Sequence, residues 1–415
     1  MLRCISVGGL LPFLLLPALL ADEISYGRIQ NVKVAAETRL DWTFALTSQS
    51  LTEPPESWLE DYDSTEQQYQ CFVPQQYNPR NAWPVLLFIA PGQRATGWGQ
   101  WEKVCRERGV IFASPHQAGN QCPFPRRVRI VADVLDDLRR KYNVDPDRVY
   151  LGGFSGGGRV ACAMAFALPE YFGGVVPVCA GGQLRDEPWL RQRVIDRLSV
   201  AQLTGENDFN RGEVERMHQT TLSGVGVRCR TWVAPRLGHT IPGSDLLDQA
   251  FVWMEEQLDQ RRRFAQQWPA SRIDDAPTRS EWAERLLAEG TKRVAAPAHL
   301  YMGLMQLKGV AARWPDTPSA EAALKQLTAF EAREERPWEE ADIAEQRRFL
   351  IARARGVDAY ASGPLPRQYE NQKENMVQAA IQLWSQVEAD GQDAEGVAAA
   401  QQRIPQLRLL LKEDK

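Results

Sequence analysis

The run Val149-Tyr150-Leu151-Gly152-Gly153-Phe154-Ser155-Gly156-Gly157-Gly158-Arg159 sets five glycines around one serine. Glycine loses more conformational freedom on folding than any other residue, so this density implies a turn or close approach that needs it. Three chemistries compete for the pattern. A phosphate-binding P-loop requires Lys and then Ser or Thr after its second glycine, and Arg159-Val160 supplies neither. A dinucleotide fingerprint requires GxGxxG, and its second glycine would fall on Ser155. The match that remains is G-x-S-x-G over Gly153–Gly157, in which a sharp strand-to-helix turn lifts the Ser155 hydroxyl clear of a sheet.

A serine hydroxyl needs a base to attack at neutral pH. Where the nucleophile sits on such an elbow, an acid and then a histidine follow it in the chain. Of the four histidines, His239 in RLGHTIP lies just past the last strand-like run, where a base is needed. His218 falls in a polar helical stretch expected to face solvent, and His299 belongs to the helical C-terminal part as a structural residue. His116 precedes Ser155, so its order is wrong for a base, and it is placed instead to line the cleft. The acid is expected at Asp208 in TGENDFN, a few residues past a strand, with Glu206 as the alternative. Two backbone amides must stabilise the developing oxyanion, and the candidates are Gly156 and Gln93.

The elements that must hold these residues alternate. Apolar runs at 68–73, 85–90, 110–115, 149–153, 174–180, 200–205 and 227–234 are separated by helical patterns. The clearest helix places Val128, Val131, Leu135, Leu138 and Tyr142 three or four apart. Continuously apolar strands separated by helices predict an α/β domain with a mostly parallel sheet covered on both faces. That domain is expected over 65–258, after an N-terminal segment over 22–64. A polar, proline-bearing linker is expected over 259–278 and an all-α region over 279–415. Ser319 is the expected N-cap of one C-terminal helix, and ARWPDTPSAEAALKQL resembles a tetratricopeptide-like hairpin junction, without a regular repeat.

Lys+Arg 49 against Asp+Glu 53 gives a net charge of −4, which excludes a general nucleic-acid binder with a basic face. Residues 1–21 read as a secretory signal: Arg3, then LLPFLLLPALLA, too short for a membrane span and interrupted by Pro12 and Pro17. Cleavage after Ala21 would deliver a secreted or periplasmic chain with no transmembrane segment and without Cys4. Cys71, Cys105, Cys122, Cys162, Cys179 and Cys229 would remain, read as buried thiols plus one or two bridges. None forms CxxC or has histidines at zinc-site spacing, so no metal is expected.

Together, DPDRVYLGGFSGGG, PEYFGGVVPVCAGG, LTGENDFN and LGHTIP resemble α/β-hydrolase serine esterases of the polyhydroxybutyrate depolymerase and feruloyl esterase type. The likeness covers about 65–257. It implies the α/β-hydrolase fold and cofactor-free hydrolysis of a small-molecule or polymer-borne carboxylic ester through an acyl-serine intermediate. It also implies Ser155 as nucleophile, Asp208 as acid and His239 as base. Where such esterases carry His-Gly after the second strand, this chain has Pro91-Gly92, which bears on how Gln93 is positioned. Two alternatives stand beside it. One is a serine peptidase on the same fold; the other is a weakly catalytic scaffold binding a protein partner through its helical tail. That tail could also pack beside the site and narrow access to it.

Overall fold

Strands with no polar face have to be covered on both sides, and the sheet of this protein is. The computed structural model describes residues 25–47, 52–58, 61–363, 365 and 367–413; the leader expected over 1–21 lies outside them. Among the described residues eight strands are present: β1 (Gly27–Lys33), β2 (Gln68–Val73), β3 (Trp83–Ile89), β4 (Ile111–Pro115), β5 (Val144–Phe154), β6 (Gly174–Val178), β7 (Ser199–Gly205) and β8 (Arg228–Ala234). They form one sheet in the order β1-β2-β4-β3-β5-β6-β7-β8. β2 runs antiparallel to β1 and β4, and every other neighbouring pair is parallel. This is the α/β-hydrolase fold, followed by a helical C-terminal region.

The strands alternate between two cores, as a period of two requires. Val85, Leu87, Ile89 and Leu151 face α2 (Phe124–Lys141) and α3 (Gly156–Ala167). Leu86, Phe88, Tyr150 and Val176 face α1 (Trp98–Arg108) and α6 (Ser244–Glu255). The spacing seen in sequence puts Val128, Val131, Leu135 and Leu138 of α2 wholly out of solvent. β1 carries no apolar signature: none of its residues is buried, and it closes the sheet edge by pairing with β2.

Between β6 and β8 lie α4 (Pro188–Arg197) and α5 (Arg211–Arg216), the latter continuing into one π-helical turn over Met217–Leu222. The stretch 259–278 holds regular structure. It carries α7 (Leu258–Gln267), because its arginines serve as anchors. Arg261 is buried and donates to the Asp147 and Met254 carbonyls and to the Tyr150 hydroxyl at 3.2, 3.0 and 2.9 Å. Arg262 pairs with Asp145 at 2.6 Å.

The helices α8 (Arg279–Val294), α9 (Leu300–Arg313) and α10 (Pro318–Glu331) share the core of the sheet. Trp282 and Trp314 are fully buried, and Trp282 meets the Tyr171 ring edge-on at 5.2 Å. Arg313 donates to the Ala167 carbonyl at the end of α3 at 2.6 Å. α11 (Glu339–Ser362), α12 (Lys373–Asp390) and α13 (Ala394–Glu413) gather around a separate core that includes Ala354, Trp384 and Leu407. The cap of α10 is Thr317 rather than Ser319: its side chain accepts from the Ala320 amide. Pro318 fits the first helical position, where its missing N–H is not needed, and so shifts the cap to the residue before it.

Charges are buried where α4 meets α8. Asp196 sits there among Arg193, Glu289 and Arg293. Burial pushes its carboxyl up to about 6 despite the attraction of Arg293. The six described cysteines are free thiols, so the expected bridges do not form. They belong to separate elements, with Cys71 on β2, Cys105 on α1 and Cys162 on α3. No helix among the described residues is long and apolar enough to cross a membrane.

Candidate active site

β5 ends at Phe154 and α3 begins at Gly156, so Ser155 alone makes the turn. Its backbone sits at φ 54 and ψ −122, a region that side-chain-bearing residues rarely occupy. Its amide donates to the Val178 carbonyl of β6 at 2.9 Å, which pins the turn to the neighbouring strand. Two glycines make the approach of strand and helix feasible. A Cβ on Gly153 would lie 2.4 Å from the Gly157 carbonyl carbon, and one on Gly157 would lie 2.1 Å from the Ile89 oxygen.

His239 lies on the loop after β8 and Asp208 on the loop after β7. The imidazole Nε2 is 3.0 Å from Ser155 Oγ, and its Nδ1 is 2.7 Å from Asp208 Oδ1. Burial works to raise the Asp208 carboxyl. Hydrogen bonds from Thr204 Oγ1 at 2.6 Å, the Asn210 amide at 3.0 Å and His239 outweigh it and hold the group below the usual carboxylate range. An ionised Asp208 can only accept, so Nδ1 carries the proton and the lone pair on Nε2 faces the serine hydroxyl.

Cys179, at φ 53 beyond β6, ties these loops together. Its carbonyl accepts from Asn210 Nδ2 at 2.9 Å, and its Sγ lies 3.4 Å from the Thr240 carbonyl. Its thiol, the Asp208 carboxylate and the His239 ring fall within 4.8 Å of one another, a set of metal-ligand types. Burial and the bond to Asp208 push the thiol up to about 12, so beside the carboxylate it acts as a neutral donor at pH 7. The imidazole is sandwiched between two rings. Phe209 stacks on it at 4.0 Å and 27°, and Phe154 lies at 4.9 Å and 41°.

Glu206, the alternative acid, is exposed and turned away from the imidazole: its carboxylate accepts from the Arg236 amide at 2.7 Å. Gly156 opens α3, so its amide belongs to the first turn, whose donors find no partner within the helix. Gln93 lies on the loop after β3, where its carbonyl accepts from the Gln117 amide at 2.6 Å. The Pro91 carbonyl accepts from the Asn120 amide at 2.8 Å, while the Asn120 side chain lies against Gly156. The Pro91-Gly92 turn is thereby held against the loop that touches the start of α3. Beside it opens a cleft of about 390 Å³, lined by Tyr62, Gln93, Gln117, Gln121 and Arg126 among others.

The remaining histidines have other uses. His116 Nδ1 accepts from the Ala95 amide at 3.1 Å, and its Nε2 reaches the Gln30 carbonyl at 3.1 Å, tying the β3 loop to β1. His218 lies in the π-helical turn and is half-buried rather than solvent-facing, and burial lowers its proton affinity. His299 packs edge-on against Trp268 at 4.8 Å.

α11 packs against α5 and the loop between β6 and α4. Arg216 of α5 lies over the Tyr360 ring at 4.4 Å, and Arg353 pairs with Asp186 of the β6–α4 loop at 2.9 Å. Sequence reasoning did not find Phe209, Cys179, Asn120 or Thr204: Cys179 and Asn120 reach the site on loops distant in the chain, and Thr204 bonds the Asp208 carboxylate from four residues away. A cue was present only for Phe209, an aromatic residue directly after the acid.

No protein-family profile and no curated protein matches the chain. Solved structures do. A thermostable esterase is 22% identical, with a TM-score of 0.38, and the match covers 48% of this chain and 60% of the esterase. An S-formylglutathione hydrolase from Staphylococcus aureus is 14% identical with a TM-score of 0.37, over 45% of this chain and 90% of its own. A puromycin-hydrolysing peptidase from Mycobacterium tuberculosis is 12% identical with a TM-score of 0.36, over 46% and 38%.

Proposed function

We propose that the protein is an exported serine hydrolase that cleaves carboxylic esters through an acyl-serine intermediate. The observation that carries this reading is the continuous relay from Ser155 Oγ to His239 Nε2 at 3.0 Å and from Nδ1 to Asp208 at 2.7 Å. Nε2 takes the hydroxyl proton as Oγ attacks the ester carbonyl, and Asp208 stabilises the imidazolium without taking its proton. The amides of Gly156 and Gln93 are assigned to the oxyanion. Nε2–H then protonates the departing alcohol, and water, activated by the same nitrogen, releases the acid. Export rests on the residues of the leader.

The test is turnover of p-nitrophenyl acetate and butyrate by the full chain, with fluorophosphonate labelling followed by peptide mass analysis. The expected result is an adduct at Ser155 and loss of turnover in Ser155→Ala. Full turnover by Ser155→Ala overturns the reading.

A further inference from the structure

Phe209 is 76% exposed, the most exposed large apolar side chain among the described residues. Its placement is not that of a loose surface ring. The residues on either side are pinned: the Asp208 amide donates to the Gly205 carbonyl at 3.1 Å, and the Asn210 amide donates to Asp208 at 3.0 Å. One face of the ring lies flat on the His239 imidazole at 4.0 Å, and most of the ring stays open to solvent. Phe154, on the imidazole's other contact, is half-buried against the α1–α6 core and offers less free surface.

The chemistry of the base fixes what must pass beside this ring. The proton that Nε2 takes from Ser155 has to reach the leaving oxygen, so that oxygen must come within hydrogen-bond distance of Nε2. The carbon attached to it then extends along the imidazole, and the available apolar face next to the imidazole is Phe209. The geometry points to Phe209 as a specificity-determining residue that receives the alcohol portion of the ester. It favours a planar aromatic alcohol, which gains an offset ring contact that a saturated ring of equal size does not. This inference rests on the serine-hydrolase reading above.

The experiment compares benzyl acetate with cyclohexylmethyl acetate, which share the acyl group and differ in the flatness of the alcohol. Values of kcat/KM are measured for the full-length wild type, Phe209→Leu and Phe209→Trp. The wild type is expected to prefer the benzyl ester, and Phe209→Leu to lower that preference about fivefold, within what one aromatic pair contributes. Phe209→Trp, which keeps a flat ring, is expected to restore it. Equal losses for both esters in Phe209→Leu, or no change in either, overturn the inference. A wild type without a fluorophosphonate adduct at Ser155 overturns the serine-hydrolase reading itself. An adduct together with an unmoved ester ratio overturns the assignment of Phe209 alone.

Discussion

Replacing Ser155 with glycine should leave the protein more stable than replacing it with alanine, although both variants lose the hydroxyl. Both remove the hydroxyl and its 3.0 Å contact with His239, so that loss cancels in the comparison. What differs is the backbone at φ 54 and ψ −122. A residue with a Cβ held in such a region carries about 1–3 kcal/mol of strain, and glycine carries almost none. Glycine in turn loses more freedom from the unfolded chain, which offsets about 0.5–1 kcal/mol of the gain. The net is about 1 kcal/mol in favour of Ser155→Gly, roughly a fivefold change in the folding constant. For a chain of this size that corresponds to a melting temperature about 1 °C higher. Urea unfolding curves of the two variants at pH 7, with equal slopes, give the difference directly. If Ser155→Ala proves as stable as Ser155→Gly, the strain argument for the elbow is wrong.

Asp208→Asn should lower kcat by about 10⁴, as loss of the tautomer-holding acid does elsewhere, with steady-state kinetics as the check. Because the native Asp208 carboxyl lies below its ordinary range, its charge stabilises the fold above the unfolded value near 4, and that contribution is lost as pH falls through the native value. The variant should therefore be less stable than wild type at pH 7, with the gap closing in acid melts. Asp196 has the opposite sign. With its carboxyl raised to about 6, stability present below the unfolded value is lost as pH rises through 6, so Asp196→Asn should be about 1–3 kcal/mol more stable at pH 8 and equal near pH 4. A constant offset across that range would contradict it. Gly157→Ala should fail to give folded protein, since its Cβ would meet the Ile89 oxygen at 2.1 Å with backbone on both sides. Gly92→Ala, with nothing within 4 Å, should melt within about 0.5 kcal/mol of wild type. Circular dichroism of the pair is the check.

Seven of the eight strands were legible because a buried parallel sheet leaves continuous apolar runs, and β5 and β7 could be read within a few residues at their C-terminal ends. β1 was not, because GRIQNVK on an exposed antiparallel edge has no residue that must be apolar. α7 had no clear apolar pattern, because part of what holds it is Arg261, which donates three hydrogen bonds into the β5 and α6 neighbourhood. Ser155, Asp208 and His239 could be placed because chain order and strand ends constrain them. Cys179 and Phe209 could not, since a thiol beside a carboxylate and a ring on an imidazole are products of loops meeting in space. The cysteines give the same lesson, as an even count allowed bridges and the six described thiols are free.

The joint core of the sheet and α8–α10 has a consequence for how the protein is made. Ser155, Asp208 and His239 are all synthesised by residue 239, yet the core beneath them stays open until Trp282, Trp314 and Phe330 have been added. At ordinary elongation speeds that delay is on the order of ten seconds. The α3 helix, which presents Ser155 at one end, receives the Arg313 bond at the other only near its close. A nascent chain therefore holds its reactive residues before it holds the scaffold that aligns them, and the C-terminal helices act as the last stage of assembly for the site at the start of α3.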